Sequence, residues 1–296
     1  MNAQYWDDKV DWLKTIRTSW FNDDYFEFLV ERVWNIKDPV NIIDYGCGFG
    51  YVGLLLMPIL PSGSTYTGVD ISDNLLNEAK NIFSNSGYTT AFIKADLNDY
   101  IPNEQYDIAI TQAVLRHIPY AQAILKKMIQ STVNDGLVIC METDLEMEKA
   151  GQYFSGLDYS ELGLTPLMRK MWKTELSIGG RDHRFAIKIP VLMQEFGLHD
   201  VKVRISDRVS FINPYEDESE HSKQYDTLTK AWGWNEQILE EDRIDYINSL
   251  KGRGLNDQEA EMYFKSESKI REYVMNNKDN AFIIKAPCTL ISFGTK

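Results

Sequence analysis

Val40-Asn41-Ile42-Ile43-Asp44-Tyr45-Gly46-Cys47-Gly48-Phe49-Gly50 decides the fold. A short apolar run, 40 to 44, ends in an acid and gives way to three glycines set two apart. Residues 51 to 60 then read as a helix. Glycines let the chain turn tightly and let a ligand approach without a Cβ in the way. The first turn of the helix exposes N–H groups that lack intrahelical partners. Twenty residues beyond Gly50 stands Asp70, closing a second strand expected over 65–70. A carboxylate there can accept from two vicinal ribose hydroxyls.

Moving outward, strands and helices alternate. A helix is expected over 74–83, strands over 91–95 and 106–111, a helix opening at Pro119, and a fifth strand over 136–141. Such alternation predicts parallel strands joined by crossover helices. Upstream, Phe26, Leu29, Val30, Val33 and Trp34 fall at i, i+3, i+4, i+7 and i+8, one apolar stripe of a helix that Pro39 ends. Downstream the rhythm changes. Residues 145–185 read as irregular, 186–196 as helix and 201–205 as strand. Residues 214–280 are charged and helical in pattern, and 282–293 return to strand chemistry. The expected fold is α/β: a doubly wound, mostly parallel seven-stranded sheet with an N-terminal helical segment and an inserted helical cap. The expected division is 1–38 as an N-terminal helical lid segment, 39–213 with 281–296 as the core, and 214–280 as the cap, a decorative insertion being the alternative for the cap.

The glycine loop admits two ligands. Gly48-x-Gly50-x-x-Gly53 is formally a dinucleotide fingerprint. Asp44 discriminates between them, because an acid at the strand end repels a pyrophosphate. It suits instead a ligand that carries positive charge and no phosphate. On these residues the chain resembles the class I (Rossmann-like) S-adenosylmethionine-dependent methyltransferases over most of 36–212. The resemblance implies that Asp44, Gly46, Gly48 and Gly50 wrap the methionine end of S-adenosyl-L-methionine. It implies that Asp70, in Gly68-Val69-Asp70-Ile71-Ser72, takes the ribose with Ile71 beside it. Asp96-Leu97 would hold the adenine, and Gln112 would lie near the methionine backbone. Leu115-Arg116-His117-Ile118-Pro119 is similar to a Leu-x-His segment of the small-molecule branch, which includes the quinone-biosynthesis-type methyltransferases. Gly180-Arg181-Asp182, Lys188-Ile189-Pro190 and Phe196-Gly197-Leu198-x-Asp200-Val201 resemble the second half of that branch. Arg116 replaces the commoner histidine of that segment, so no role of that residue carries over.

The implied reaction is an in-line displacement at the sulfonium methyl. The cofactor arrives activated, so alignment of the acceptor is the protein's main task. His117 is the candidate general base, lying beyond the carboxyl end of the fourth strand. Alternatively it caps the following helix or packs beneath the cap. His183, with Arg181 nearby to hold an anionic acceptor, is a second candidate, against a plain solvated loop. Glu142 and Asp144 follow the fifth strand as further bases or as helix caps. Tyr5, Trp6 and Tyr25 are candidates for a lid over the cofactor.

Composition narrows the field. Apolar residues make up 44% and charged residues 25%, enough to bury a core. The net charge, 31 minus 44, is -13, which disfavours a nucleic-acid substrate. Three separated cysteines, Cys47, Cys140 and Cys288, imply neither a disulfide framework nor a zinc site, and no metal is expected. No apolar run reaches membrane-spanning length, and the acidic, aromatic start lacks a signal core, so a cytoplasmic location is expected. The expected partner is a small-molecule methyl acceptor, with no nucleic acid and no membrane, and the expected state is a monomer or homodimer. A nicotinamide-dependent oxidoreductase, a non-catalytic S-adenosylmethionine-binding protein, and methylation of protein or RNA are the rival readings.

Overall fold

Asn41–Tyr45 forms strand β1, with its last four residues buried. A strand covered on both faces reads as a continuous apolar run rather than an alternating one. It lies in register between β2 (Thr65–Asp70) on one side, where Asp44 pairs with Gly68, and β4 (Tyr106–Gln112) on the other, where Asp44 pairs with Ile110. With β3 (Thr89–Lys94), β5 (Thr132–Thr143), β7 (His199–Ile205) and β10 (Thr289–Thr295) these strands make a seven-stranded sheet ordered β3-β2-β1-β4-β5-β10-β7. All of its pairings are parallel except those of β10, which runs antiparallel to both neighbours. The α/β, doubly wound sheet expected from the sequence is therefore the fold.

The computed structural model describes residues 3–17, 19–158, 162 and 164–296. They divide into two compact units. The first runs to Asp144 and adds His183–Asp207 and Thr289–Lys296, so it holds the seven-stranded sheet. Within it, Ile43, Tyr45, Val69, Ala109 and Val138 point to one face of the sheet. There they meet Ile124, Leu125 and Met128 of the helix Gln122–Ser131 and Ile189 and Met193 of the helix Ile189–Glu195. The N-terminal segment belongs to this unit as well. It comprises α1 (Ala3–Asp7), α2 (Val10–Arg17) and α3 (Asp23–Phe28), the last continued by one π turn to Val33. The apolar stripe buries Phe26, Leu29 and Val30 and leaves Val33 and Trp34 half-buried. Leu13 of α2 packs on Phe49 of the glycine loop and on Leu75.

The second unit, Leu145–Asp182 with Arg208–Cys288, carries an antiparallel sheet ordered β6-β9-β8: β6 (Gln152–Phe154), β8 (Ser210–Ile212) and β9 (Ile283–Lys285). Helices Thr165–Ser177, Glu218–Ala231, Glu240–Gly252 and Asp257–Asn276 complete it. Its core joins Phe154, Tyr225, Trp234, Ile270 and Ile283.

Two expectations are revised by these elements. The stretch 145–185 is not irregular, since it supplies a helix at Leu145–Ala150, strand β6 and the helix Thr165–Ser177. The 282–293 run is not one strand. Residues 283–285 pair with β6 and β8, whereas 289–295 pair with β5 and β7. Pro287 has no N–H for a ladder and Cys288 takes φ +50°, so the chain changes sheet between them. The packing boundaries fall at 144, 182, 207 and 288 rather than at 213 and 280. Among the described residues no helix is long and apolar enough to cross a membrane.

Candidate functional site

The carboxyl ends of β1, β2 and β4 open onto one pocket in the first unit, with a volume, mouth included, of about 810 Å³. It is built from the glycine loop outward. Gly46 N and Cys47 N both donate to Val69 O, at 2.7 and 3.0 Å, which folds the loop back over β2. Gly46 takes φ +78°, and a Cβ there would stand 2.5 Å from Val114 Cγ2. Gly48 N donates to Asp70 Oδ2 at 2.9 Å. Gly50, at φ +83°, is the N-cap of the helix Tyr51–Leu56 and faces Phe83. It shapes the loop from behind and is not among the pocket's lining residues.

Of the residues expected to hold a cofactor, Gly46, Gly48, Asp70, Ile71, Asp96 and Leu97 line the pocket. Asp70 is fixed by two backbone donors, Gly48 N and Ser72 N, each at 2.9 Å, leaving its outer lone pairs for a ligand. Burial raises the Asp70 carboxyl above its ordinary range, against the opposing pull of those donors. Asp96 Oδ1 accepts from Asn98 N at 2.8 Å, and Leu97 O from Lys127 Nζ at 2.9 Å.

Asp44 and Gln112 lie behind the lining. Asp44 is 1% exposed. Its Oδ2 accepts from Tyr66 OH at 2.6 Å, while Oδ1 is buried with no partner. Burial pushes its pKa up to about 7, with the Tyr66 hydrogen bond and the charge of Arg17 pulling the other way. Gln112 Nε2 is likewise buried without a partner, one residue before Ala113, which lines the pocket at φ +56°. An acceptor and a donor left unmade in the interior cost free energy unless a ligand satisfies them.

His117 also lines the pocket. Its Nε2 accepts from Arg116 Nε at 3.2 Å, so that lone pair is engaged, and the Trp6 ring meets the imidazole edge-on at 5.2 Å. The other candidate acids are tied down. Glu142 Oε1 accepts from Val114 N and Leu115 N, both at 2.7 Å, holding the turn that precedes His117. Asp144 is paired with Arg184 Nε at 2.8 Å, and Arg181 with Glu175 at 2.7 Å. His183 is buried. Of the lid candidates, Trp6 lines the pocket and Tyr5 packs edge-on against it at 5.0 Å, whereas Tyr25 donates to Ile205 O instead.

Reading the sequence missed Leu13, Arg17, Leu75, Asn98, Ala113 and Val114, which with Ile118 and Pro119 of the Leu-x-His segment complete the lining. Asn98 was within reach, standing next to the Asp96-Leu97 pair. Leu13 and Arg17 carried no signal, since a leucine inside and an arginine at the end of an amphipathic helix are ordinary.

Residues 36–173 match a protein family described as "Methyltransferase domain". A malonyl-[acyl-carrier protein] O-methyltransferase of Acetivibrio thermocellus is 28% identical over 102 residues, 34% of this chain and 35% of that protein. A ubiquinone biosynthesis O-methyltransferase of Rickettsia prowazekii is 24% identical over 145 residues, 47% of this chain and 55% of that protein. The chain thus spans about a third to a half of the length of these curated relatives. Among solved structures, that of a [4+2]-cyclase, SpnF, superposes with a TM-score of 0.51 at 15% identity, covering 99% of this chain and 95% of that one.

Proposed function

We propose that this protein, whose residues 36–173 match a methyltransferase-domain family, is a class I S-adenosylmethionine-dependent methyltransferase acting on a small organic acceptor at O, N or C. The observation that carries the proposal is Asp44. Its buried, unpartnered Oδ1 at the root of the glycine loop suits a cationic ligand end and would oppose a pyrophosphate. Asp70 and Asp96, both in the lining, suit a ribose and an exocyclic amine.

Bound S-adenosylmethionine supplies an activated methyl group. The chain's own residues bind and orient. Asp44 balances the ammonium of the methionine end, Asp70 takes the ribose hydroxyls, and Gly46 and Gly48 let the ligand lie against the backbone. Trp6 and Leu13 exclude water from the pocket. His117, with Nε2 held by Arg116, orients an acceptor or takes its proton through the other ring nitrogen, and Glu142 fixes the turn that carries it. The curated relatives named above are O-methyltransferases, which supports an oxygen acceptor. The net charge of -13 supports an acceptor other than nucleic acid.

The test is calorimetry with S-adenosylmethionine, S-adenosylhomocysteine and NAD, with Asp70→Ala as control. Micromolar binding of both sulfur ligands, lost in the variant and absent for NAD, supports the reading. A signal from NAD alone assigns the loop to an oxidoreductase. Binding without turnover across a screen of phenols, carboxylic acids and amines favours a non-catalytic binding protein.

A further inference from the structure

Arg17 ends α2 and lines the pocket. Its backbone is pinned, with Arg17 O accepting from Tyr51 OH at 2.9 Å and from Trp20 N at 3.2 Å. Its guanidinium lies over the Trp20 ring, 4.2 Å from the centroid, with the Tyr51 ring at 5.8 Å. The aromatic platform fixes the plane of the fork and leaves its edge to bond. Yet Nη1 is buried and has no hydrogen-bond partner, and among the described residues Arg17 makes no ion pair. Burial lowers its pKa to about 10, with Arg116 adding repulsion and Asp44 and Glu142 offsetting it, so the group stays cationic at neutral pH. A desolvated, preorientated guanidinium edge facing a pocket is suited to a carboxylate, which it meets with two parallel N–H donors.

We propose that Arg17 is the carboxylate-binding residue of this pocket, reaching it from the N-terminal helical segment. The proposal rests on the methyltransferase reading and extends it. The carboxylate has two possible sources, the cofactor's own amino-acid tail and a carboxylate on the methyl acceptor. A charge-balancing role toward Asp44 and Glu142 is the competing account, and it differs in what it predicts. A counter-ion keeps the site intact for every ligand, whereas a carboxylate anchor matters only for ligands that carry one.

Wild type, Arg17→Gln and Arg17→Lys are titrated with S-adenosylhomocysteine and with 5′-methylthioadenosine, which keeps the adenosyl sulfur but lacks the amino-acid tail. If the cofactor's carboxylate is the partner, Arg17→Gln weakens S-adenosylhomocysteine by about 30- to 100-fold, the loss expected for one buried charge-assisted contact. Methylthioadenosine is then unaffected, and Arg17→Lys recovers part of the loss. If the acceptor's carboxylate is the partner, S-adenosylhomocysteine binds both variants as it binds wild type. Benzoate then binds the S-adenosylhomocysteine-loaded wild type but not loaded Arg17→Gln, and benzamide binds neither. Equal weakening of both adenosyl ligands, or no weakening together with no benzoate binding, overturns the proposal. A wild type that binds neither adenosyl ligand overturns the methyltransferase reading and this inference with it.

Discussion

The pocket has two walls of opposite construction. One is the edge of the sheet: Gly46 and Gly48 in the loop, Asp70 and Asp96 beyond the strand ends. Its polar groups are held by backbone donors close by in the fold, Gly48 N and Ser72 N for Asp70 and Asn98 N for Asp96. The other wall consists of Trp6, Leu13 and Arg17 from the N-terminal helices and Val114, His117, Ile118 and Pro119 from the turn after β4. It is held by side chains: Leu13 against Phe49 and Leu75, Trp6 against His117, and Glu142 gripping the turn. Asp7 joins α1 to this assembly by accepting from Ser72 Oγ at 2.5 Å and Asn74 N at 3.1 Å. A backbone wall fails all at once when its dihedrals are disturbed. A side-chain wall is adjusted one residue at a time, so it is where specificity can vary.

The largest effect is expected at Gly46. At φ +78° an alanine carries strain of about 1 kcal/mol, and its Cβ would lie 2.5 Å from Val114 Cγ2 and 2.9 Å from Val114 Cγ1. The loop or the 113–117 turn must move. Gly46→Ala is expected to weaken S-adenosylhomocysteine by about 100-fold or more and to lower stability by about 2 kcal/mol or more, read by calorimetry and thermal melting. Near-wild-type affinity would show that the first wall tolerates displacement and would end the contrast.

Asp44 gives the next effect, and its two halves have opposite signs. Its folded pKa of about 7 stands above the ordinary 3.8, through burial. Between those values the folded protein keeps a proton that the unfolded chain has released, so this group's contribution to stability is present at low pH and is lost as pH rises toward 7. Asp44→Asn removes the cost of the buried charge and is expected to stabilise the unliganded protein at pH 8 by about 2–4 kcal/mol. The same change is expected to weaken S-adenosylmethionine at least about tenfold. In the wild type, affinity should rise from pH 6 to pH 8 as the carboxylate form becomes populated, and that slope should vanish in Asp44→Asn. A flat wild-type profile would show that Asp44 does not meet the cationic end of the ligand.

Glu142 ties the second wall to the sheet, since it stands near the end of β5 and grips the turn that precedes His117. Glu142→Gln keeps the shape but weakens two charge-assisted hydrogen bonds. It is expected to lower kcat about tenfold while cofactor affinity changes little, once an acceptor is found. An equal fall in cofactor affinity would place Glu142 in the first wall's support instead.

The same contrast explains what the sequence made legible. β1, the glycine loop and Asp70 could be read because each signal is local: an apolar run, glycines at fixed spacing, an acid at the next strand's end. Arg17 could not, because its meaning comes from Trp20 and Tyr51 fixing it over a pocket whose other residues lie elsewhere in the chain. Glu142 read as a base or a helix cap because it follows the fifth strand, but its partners are backbone N–H groups brought near by the sheet order, which composition does not encode. The 282–293 run looked like one strand because strand-forming residues stand on both sides of Pro287. Only the partners on either side, β6 and β8 or β5 and β7, separate its two halves.

Trp6 should show the smallest effect and the sharpest form of the comparison. Its ring touches Tyr5 at 5.0 Å and His117 at 5.2 Å, both edge-on. Such pairs contribute about 0.5–1.5 kcal/mol beyond the area they bury. Trp6→Ala removes them without disturbing the loop, and Asp7 still ties α1 to Ser72 and Asn74. The expected result is a loss of S-adenosylhomocysteine affinity of about 3- to 10-fold, measured by calorimetry at pH 8. Methylthioadenosine should lose as much, because Trp6 acts by covering the pocket rather than by bonding to the tail. A loss matching that of Gly46→Ala would mean that the N-terminal segment organises the loop itself, and the two walls would then be one structure.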